Sequence, residues 1–180
     1  AVTGAARMTL EEVARTAYFR SDKVPADFSP ELVVTRHYTQ KTYDGICTNG
    51  IQGCHLEVDV ETGFVKLLKH WVVNDCGTMI NPLLVDEQIR GAIVQGLGAA
   101  LFEECIYSPE GQLTNGSLID YLVPMAREMP DIEIEHCCTP TATSGLGAKG
   151  TGEAGTAGAP AAVMNAINDA LKPFGARVTA

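Results

Sequence analysis

The residues best suited to chemistry stand together near one end of the chain, in Ser144-Gly145-Leu146-Gly147-Ala148-Lys149-Gly150-Thr151-Gly152-Glu153-Ala154-Gly155-Thr156-Ala157-Gly158. Backbone with so few side chains lets amide N–H groups come close to an anion or a cofactor. A helix expected directly behind the segment would add a dipole that favours negative charge, and Lys149 adds a full positive charge. One carboxylate, Glu153, stands among these small groups. A lone carboxylate amid backbone and methyl groups is a candidate general base. The plainer alternative is a mobile surface loop with a solvated glutamate, and composition alone leaves both open.

Two other readings of the glycines fail on spacing. Gly145-x-Gly147-x-x-Gly150 matches the letters of the dinucleotide fingerprint. That motif belongs at a tight strand-to-helix turn, with an acidic residue at the end of a second strand about twenty residues later. Here residues 139–144 separate the preceding strand from Gly145, a second glycine run intervenes before any helix, and Asp169 falls inside an expected helix. Lys149-Gly150-Thr151 also lacks the Gly-Lys-Ser/Thr order of a P-loop. A nucleotide-binding module using Gly145 to Gly150 is therefore the weaker alternative, beside a domain with only a structural role.

The remaining reactive side chains form no recognisable centre. His37, His55, His70 and His136 are isolated and read as structural. Cys47, Cys54, Cys76, Cys105, Cys137 and Cys138 include no Cys-x-x-Cys, and the Cys137-Cys138 pair has no second pair at zinc or iron–sulfur spacing. No metal ligand is therefore expected from this chain. Without a leader, the cysteines are expected to be reduced thiols of a cytoplasmic protein. The net charge is −9, and the thirteen basic residues are scattered, which argues against nucleic acid as a partner. The longest weakly polar run, Gly91 to Phe102, is too short and glycine-rich for a membrane span. The chain does not begin with Met, as expected of a piece cut from something longer.

These 180 residues suffice for one domain or two small subdomains. Thr9-Leu10-Glu11-Glu12 is a capping-box pattern and predicts a helix over 10–19. Residues 21–31 read as a loop and Leu32 to Tyr38 as a β-rich run. The segment from Lys41 to Gly53 is polar and glycine-punctuated. Strict alternation over Cys54 to Val60, a Glu61-Thr62-Gly63 turn and a run from Phe64 to Asp75 predict a β-hairpin. Cys76 to Pro82 reads as a turn, and Leu84 to about Glu104 as a long helix. Glycine costs about 1 kcal/mol in a helix interior relative to alanine, so Gly91, Gly96 and Gly98 need a reason. Gly91 and Gly98, seven apart on one face, suggest a close backbone approach, and helix–sheet packing is the expected role of Gly96 and Gly98. Ile106 to Leu113 is hairpin-like, 118–124 is helical or irregular, and Ile132 to Cys138 is a strand. Pro160 is placed as a first helical residue, with helix over Ala161 to Leu171. The mixture lacks regular β-α alternation and favours an α+β fold, a mixed sheet with packed helices.

Three stretches in order carry a family resemblance. They are Glu57-Val58-Asp59-x-x-Thr62-Gly63; then Asp75-Cys76-Gly77-x-x-Ile80-Asn81-Pro82 with Gln88-x-x-Gly91-x-x-x-Gln95-Gly96-Leu97-Gly98-x-Ala100-Leu101-x-Glu103-Glu104; then Lys149-Gly150-Thr151-Gly152-Glu153 with Ala159-Pro160-Ala161-Ala162-Val163-x-Asn165-Ala166-Ile167-x-Asp169-Ala170. Together they resemble the C-terminal, molybdopterin-binding part of the molybdenum hydroxylase large subunit, the family of xanthine dehydrogenase, aldehyde oxidase and aerobic carbon monoxide dehydrogenase. The variants Asp75-Cys76-Gly77 and Gly152-Glu153-Ala154-Gly155-Thr156 look most similar to the carbon monoxide dehydrogenase-like branch. Residues 46–180 are family-like, whereas 1–45 contribute little.

The resemblance implies a molybdenum–pterin cofactor, in mononucleotide or cytosine dinucleotide form, and a small substrate oxidised with water as the oxygen source. It implies Glu153 as the general base and Gln88 as a hydrogen-bonding partner of the pterin. Lys149 and the backbone of Gly150, Thr151 and Gly152 would help hold that group. The implied partners are the rest of the large subunit and the iron–sulfur and FAD-binding subunits, so the isolated piece is expected to be inactive. The branch's copper-binding cysteine lies on an earlier loop, and none of the six cysteines matches it, so carbon monoxide is not implied as substrate.

Overall fold

The computed structural model describes residues 2–3, 6–29, 31–39 and 45–179; residues 41–44 of the polar stretch before Gly53 lie outside the described residues. The chain divides into two compact units, residues 1–39 and 40–180.

In the first unit, β1 (Val2–Thr3) pairs antiparallel with β2 (Ala6–Arg7), and α1 spans Leu10–Phe19. The capping box forms as the spacing predicts. Thr9 Oγ1 accepts from the Glu12 amide at 3.2 Å, and the Glu12 carboxylate accepts from the Thr9 amide at 2.8 Å. The strand expected over Leu32 to Tyr38 is absent. Leu32, Val33, Val34 and Tyr38 are exposed, without a ladder partner among the described residues. β-propensity reflects packing against neighbours, and these side chains are left exposed.

The second unit holds the hairpin of β3 (Asn49–Val58) and β4 (Val65–Asp75). The turn is set by Asp59, whose carboxylate accepts from the Glu61 amide and the Thr62 hydroxyl, and by Gly63 at φ 75°. β3 starts five residues earlier than the alternation suggests. Its first half, Asn49 to Gly53, hides its ladder behind glycines. β5 (Asp131–His136) pairs with β4 in parallel, so the three-stranded sheet is mixed, in the order β3-β4-β5.

Two helices cover one face of this sheet. α2 (Pro82–Leu101) begins two residues before Leu84, with Pro82 in the first turn and Asn81 capping the Leu84 amide. α3 spans Ala154–Leu171 and corrects the expectation of a start at Pro160: this proline lies inside the helix. Pro160 has no N–H for the Thr156 carbonyl, a loss of about 3 kcal/mol in an isolated helix. Close packing overrides that local preference. Thr156 Oγ1 donates to the Ala92 carbonyl at 2.9 Å, and Ala159 and Val163 are fully buried against the core of Leu56, Val72, Ile89, Ile93, Leu97 and Ile132.

The helix glycines have different roles from those expected. A Cβ on Gly91 would meet nothing within 4 Å, so Gly91 makes no close approach. A Cβ on Gly96 would lie 2.8 Å from Ala159 Cβ and 2.9 Å from the Thr156 carbonyl oxygen, so Gly96 serves helix–helix rather than helix–sheet packing. Gly98 faces Pro124 and Glu103 of the segment that follows α2. That segment carries an isolated pairing of Tyr107 with Leu113 and is irregular over 118–124.

Candidate functional site

The glycine-rich segment is fastened rather than loose. Asp75, the last residue of β4, accepts from the Gly77 amide at 2.9 Å, the Thr139 amide at 3.0 Å and Lys149 Nζ at 2.9 Å. These three donors hold its carboxyl well below the usual carboxylate range, the two amides contributing most. The backbones of the two turns also pair. The Lys149 amide donates to the Cys76 carbonyl at 2.8 Å and the Thr78 amide to the Gly147 carbonyl at 3.0 Å. Gly77 (φ 69°) permits this, because a Cβ there would collide with the Gly147 carbonyl.

This zipper argues against the nucleotide reading. Gly145 to Gly150 follow no strand-to-helix turn, and the backbones of Gly147 and Lys149 are bonded to Ser144, Thr78, Thr141 and Cys76. Lys149 directs its ammonium at Asp75, and its side chain is 10% exposed.

Past Lys149 the backbone opens. Glycines 150 and 152 face space in which a Cβ would meet nothing within 4 Å. Between them, Thr151 Oγ1 is buried without a hydrogen-bond partner. Gln88 Nε2, from the second turn of α2, donates to the Gly152 carbonyl at 2.9 Å. Glu153 follows at the N-cap of α3, exposed and making no capping hydrogen bond. It therefore projects a free carboxylate from the start of the 18-residue helix α3.

Glu153 lines a cleft of about 530 Å³ together with Gly150, Gly152, Asn49, Gly50 and Gln52. Gln88, Lys149, Gly150, Thr151, Gly152 and Glu153 thus fall into two roles. Lys149 and Gln88 tie the loop to Asp75 and α2, and Gly150, Gly152 and Glu153 line the cleft. An orphaned buried hydroxyl between two uncrowded glycines, beside an unpartnered carboxylate, fits a polar cofactor laid along this backbone.

Gln52, unremarkable in the sequence, and His70, read there as structural, also contribute. Gln52, on β3, donates through Nε2 to the Gly155 carbonyl at 2.8 Å, and its Oε1 lies 2.9 Å from Nε2 of the fully buried His70 on β4. A glutamine on the strand face that carries Cys54 and Leu56 was the available signal.

The family model for the molybdopterin cofactor-binding domain matches residues 1–130. The large subunit of nicotine 6-hydroxylase from Paenarthrobacter nicotinovorans is 45% identical over 97% of this chain and 21% of its own length. The carbon monoxide dehydrogenase large chain of Afipia carboxidovorans is 31% identical over 90% of this chain and 19% of its own. Among solved structures, quinoline 2-oxidoreductase from Pseudomonas putida 86 superposes with a TM-score of 0.75 at 40% identity, covering 91% of this chain and 20% of that one. The chain spans about a fifth of the length of these relatives.

Proposed function

The chain belongs to the molybdopterin cofactor-binding family of molybdenum hydroxylase large subunits, and from that premise we propose that it carries the general base, Glu153, of a hydroxylase that takes oxygen from water. The observation that carries this is the free Glu153 carboxylate at the N-cap of α3, on the cleft that Gly150 and Gly152 line.

Thr151 Oγ1 and the backbone of Gly150 and Gly152 would hold the cofactor, with Gln88 bracing the Gly152 carbonyl and Lys149 fixing the loop behind it. When bound, the molybdenum–pterin group supplies the two-electron redox chemistry. Glu153 accepts the proton released as water-derived oxygen bonds to the substrate carbon. Its place on a helix start, tied by Gly155 and Thr156 to the sheet and α2, fixes the backbone from which the carboxylate reaches into the cleft. The electrons leave through iron–sulfur and FAD-binding partners.

The substrate class is an aromatic nitrogen heterocycle. Nicotine and quinoline name the relatives of 45% and 40% identity, and in such rings the carbon beside nitrogen is open to attack by a nucleophilic oxygen.

In the full-length subunit, Glu153→Gln is expected to abolish turnover while molybdenum content stays near wild type. Normal activity in that variant would sink the assignment. The 180-residue piece by itself is expected to be inactive, and turnover by it would show that the missing four fifths are dispensable.

A further inference from the structure

We infer that Gln52 and His70 form a directed hydrogen-bond relay that positions the first turn of α3, and with it Glu153; the inference rests on the reading of Glu153 as the base. Gln52 pairs with Val72 across the hairpin and Cys54 with His70, so Gln52 and His70 are diagonal neighbours on one face of the sheet. That face is the core side, with Cys54, Leu56 and Val72 on it. An aliphatic residue at position 52 would continue the apolar register. His70 is fully buried and Gln52 half-buried, and polar groups so placed are seldom the more stable choice unless hydrogen bonds compensate them.

The bonds have a defined sense. The Gly155 carbonyl can only accept, so Gln52 must turn its Nε2 to it. Gln52 Oε1 then faces His70, which must donate from Nε2. Burial pushes the His70 pKa down, in keeping with a neutral ring whose one N–H serves this bond. A carbonyl has two lone pairs, so accepting from Gln52 is compatible with the helical ladder. Gly155 is two residues beyond Glu153. Gly158, one turn on, is fitted to the same amide, since a Cβ there would lie 2.9 Å from Gln52 Nε2. Gln52 thus joins the sheet to the helix end that carries the base, and it touches the cleft that Glu153 lines.

Gln52→Met keeps the volume and removes both bonds; His70→Phe keeps a ring and removes only the donor. In the full-length enzyme, Gln52→Met is expected to lower kcat about tenfold or more, since small misplacements of a catalytic group have effects of that order. KM should stay within roughly twofold, with molybdenum content unchanged. Amide hydrogen exchange should quicken over residues 153–158 and not elsewhere in α3. His70→Phe is expected to show the same pattern at smaller amplitude. Unchanged kcat or unchanged local exchange in both variants overturns the relay. So does a general rise in exchange with loss of molybdenum, or failure of both variants to accumulate, which would mark the pair as a folding element. The exchange result is read without turnover, so it stands or falls separately from the fate of Glu153→Gln.

Discussion

Lys149 Nζ lies 2.9 Å from Asp75 Oδ2, joining residues 74 positions apart with side chains only 10% and 15% exposed. This pair closes the zipper between the turn after β4 and the glycine-rich segment, and it sets the path of the backbone into Gly150, Thr151, Gly152 and Glu153. Lys149→Met should therefore loosen the loop without touching the cleft. The Lys149 amide, bonded to Cys76, and the Thr78 amide, bonded to Gly147, are expected to exchange roughly tenfold faster or more, the signature of local opening. Unchanged exchange at both amides would show that the backbone bonds hold the zipper unaided.

Acid sensitivity should appear in two windows. Asp75 has a folded pKa depressed below its ordinary 3.8 by the Thr139 and Gly77 amides and Lys149. Its contribution is fully present above that value and is lost as pH falls below it toward the folded value. His70 has a folded pKa depressed below its ordinary 6.5 by burial. The unfolded chain therefore binds the extra proton first, and stability declines as pH falls below about 6.5. Thermal unfolding followed across pH should show the His70 slope vanish in His70→Phe and the lower-pH slope flatten in Asp75→Asn. A slope in the upper window that persists in His70→Phe would assign it to another group.

The three close-packing tests of glycine should differ in sign. Gly91→Ala adds a methyl to open space inside a helix and is expected to stabilise by about 1 kcal/mol. Gly96→Ala meets Ala159 and the Thr156 carbonyl, and Gly155→Ala meets the Ile89 carbonyl oxygen at 2.6 Å and the Ile93 nitrogen at 2.8 Å. Backbone atoms cannot step aside, so both should destabilise by roughly 1–3 kcal/mol. Denaturant midpoints of the three variants decide the matter, and equal effects at Gly91 and Gly96 would refute the α2–α3 contact as drawn.

Local signals in the sequence determined much of this protein. The Thr9 capping box and the Gly63 turn act within a few residues and folded as read, and the alternation through Leu56 and Val58 gave the hairpin, although its strand ends at Val58 and its register shifts between His55 and Leu56. The order of the Asp75, Gln88 and Glu153 stretches also carried the family, because chemistry restricts residue type at a site more tightly than packing does at a core. What only the tertiary structure decided lies in pairs distant along the chain. Pro160 reads as a helix start by its missing N–H, yet Gly96, Ala92 and Ala159 press α3 onto α2 closely enough to carry the helix back to Ala154. Leu32 to Tyr38 has strand composition, and no strand among the described residues pairs with it. Lys149 reads as a charge for a ligand until Asp75 is brought beside it, and Gln52 and His70 read as incidental until the hairpin register sets them against Gly155. Propensity is written in neighbours, whereas the partner that satisfies a buried charge or amide is chosen by the fold.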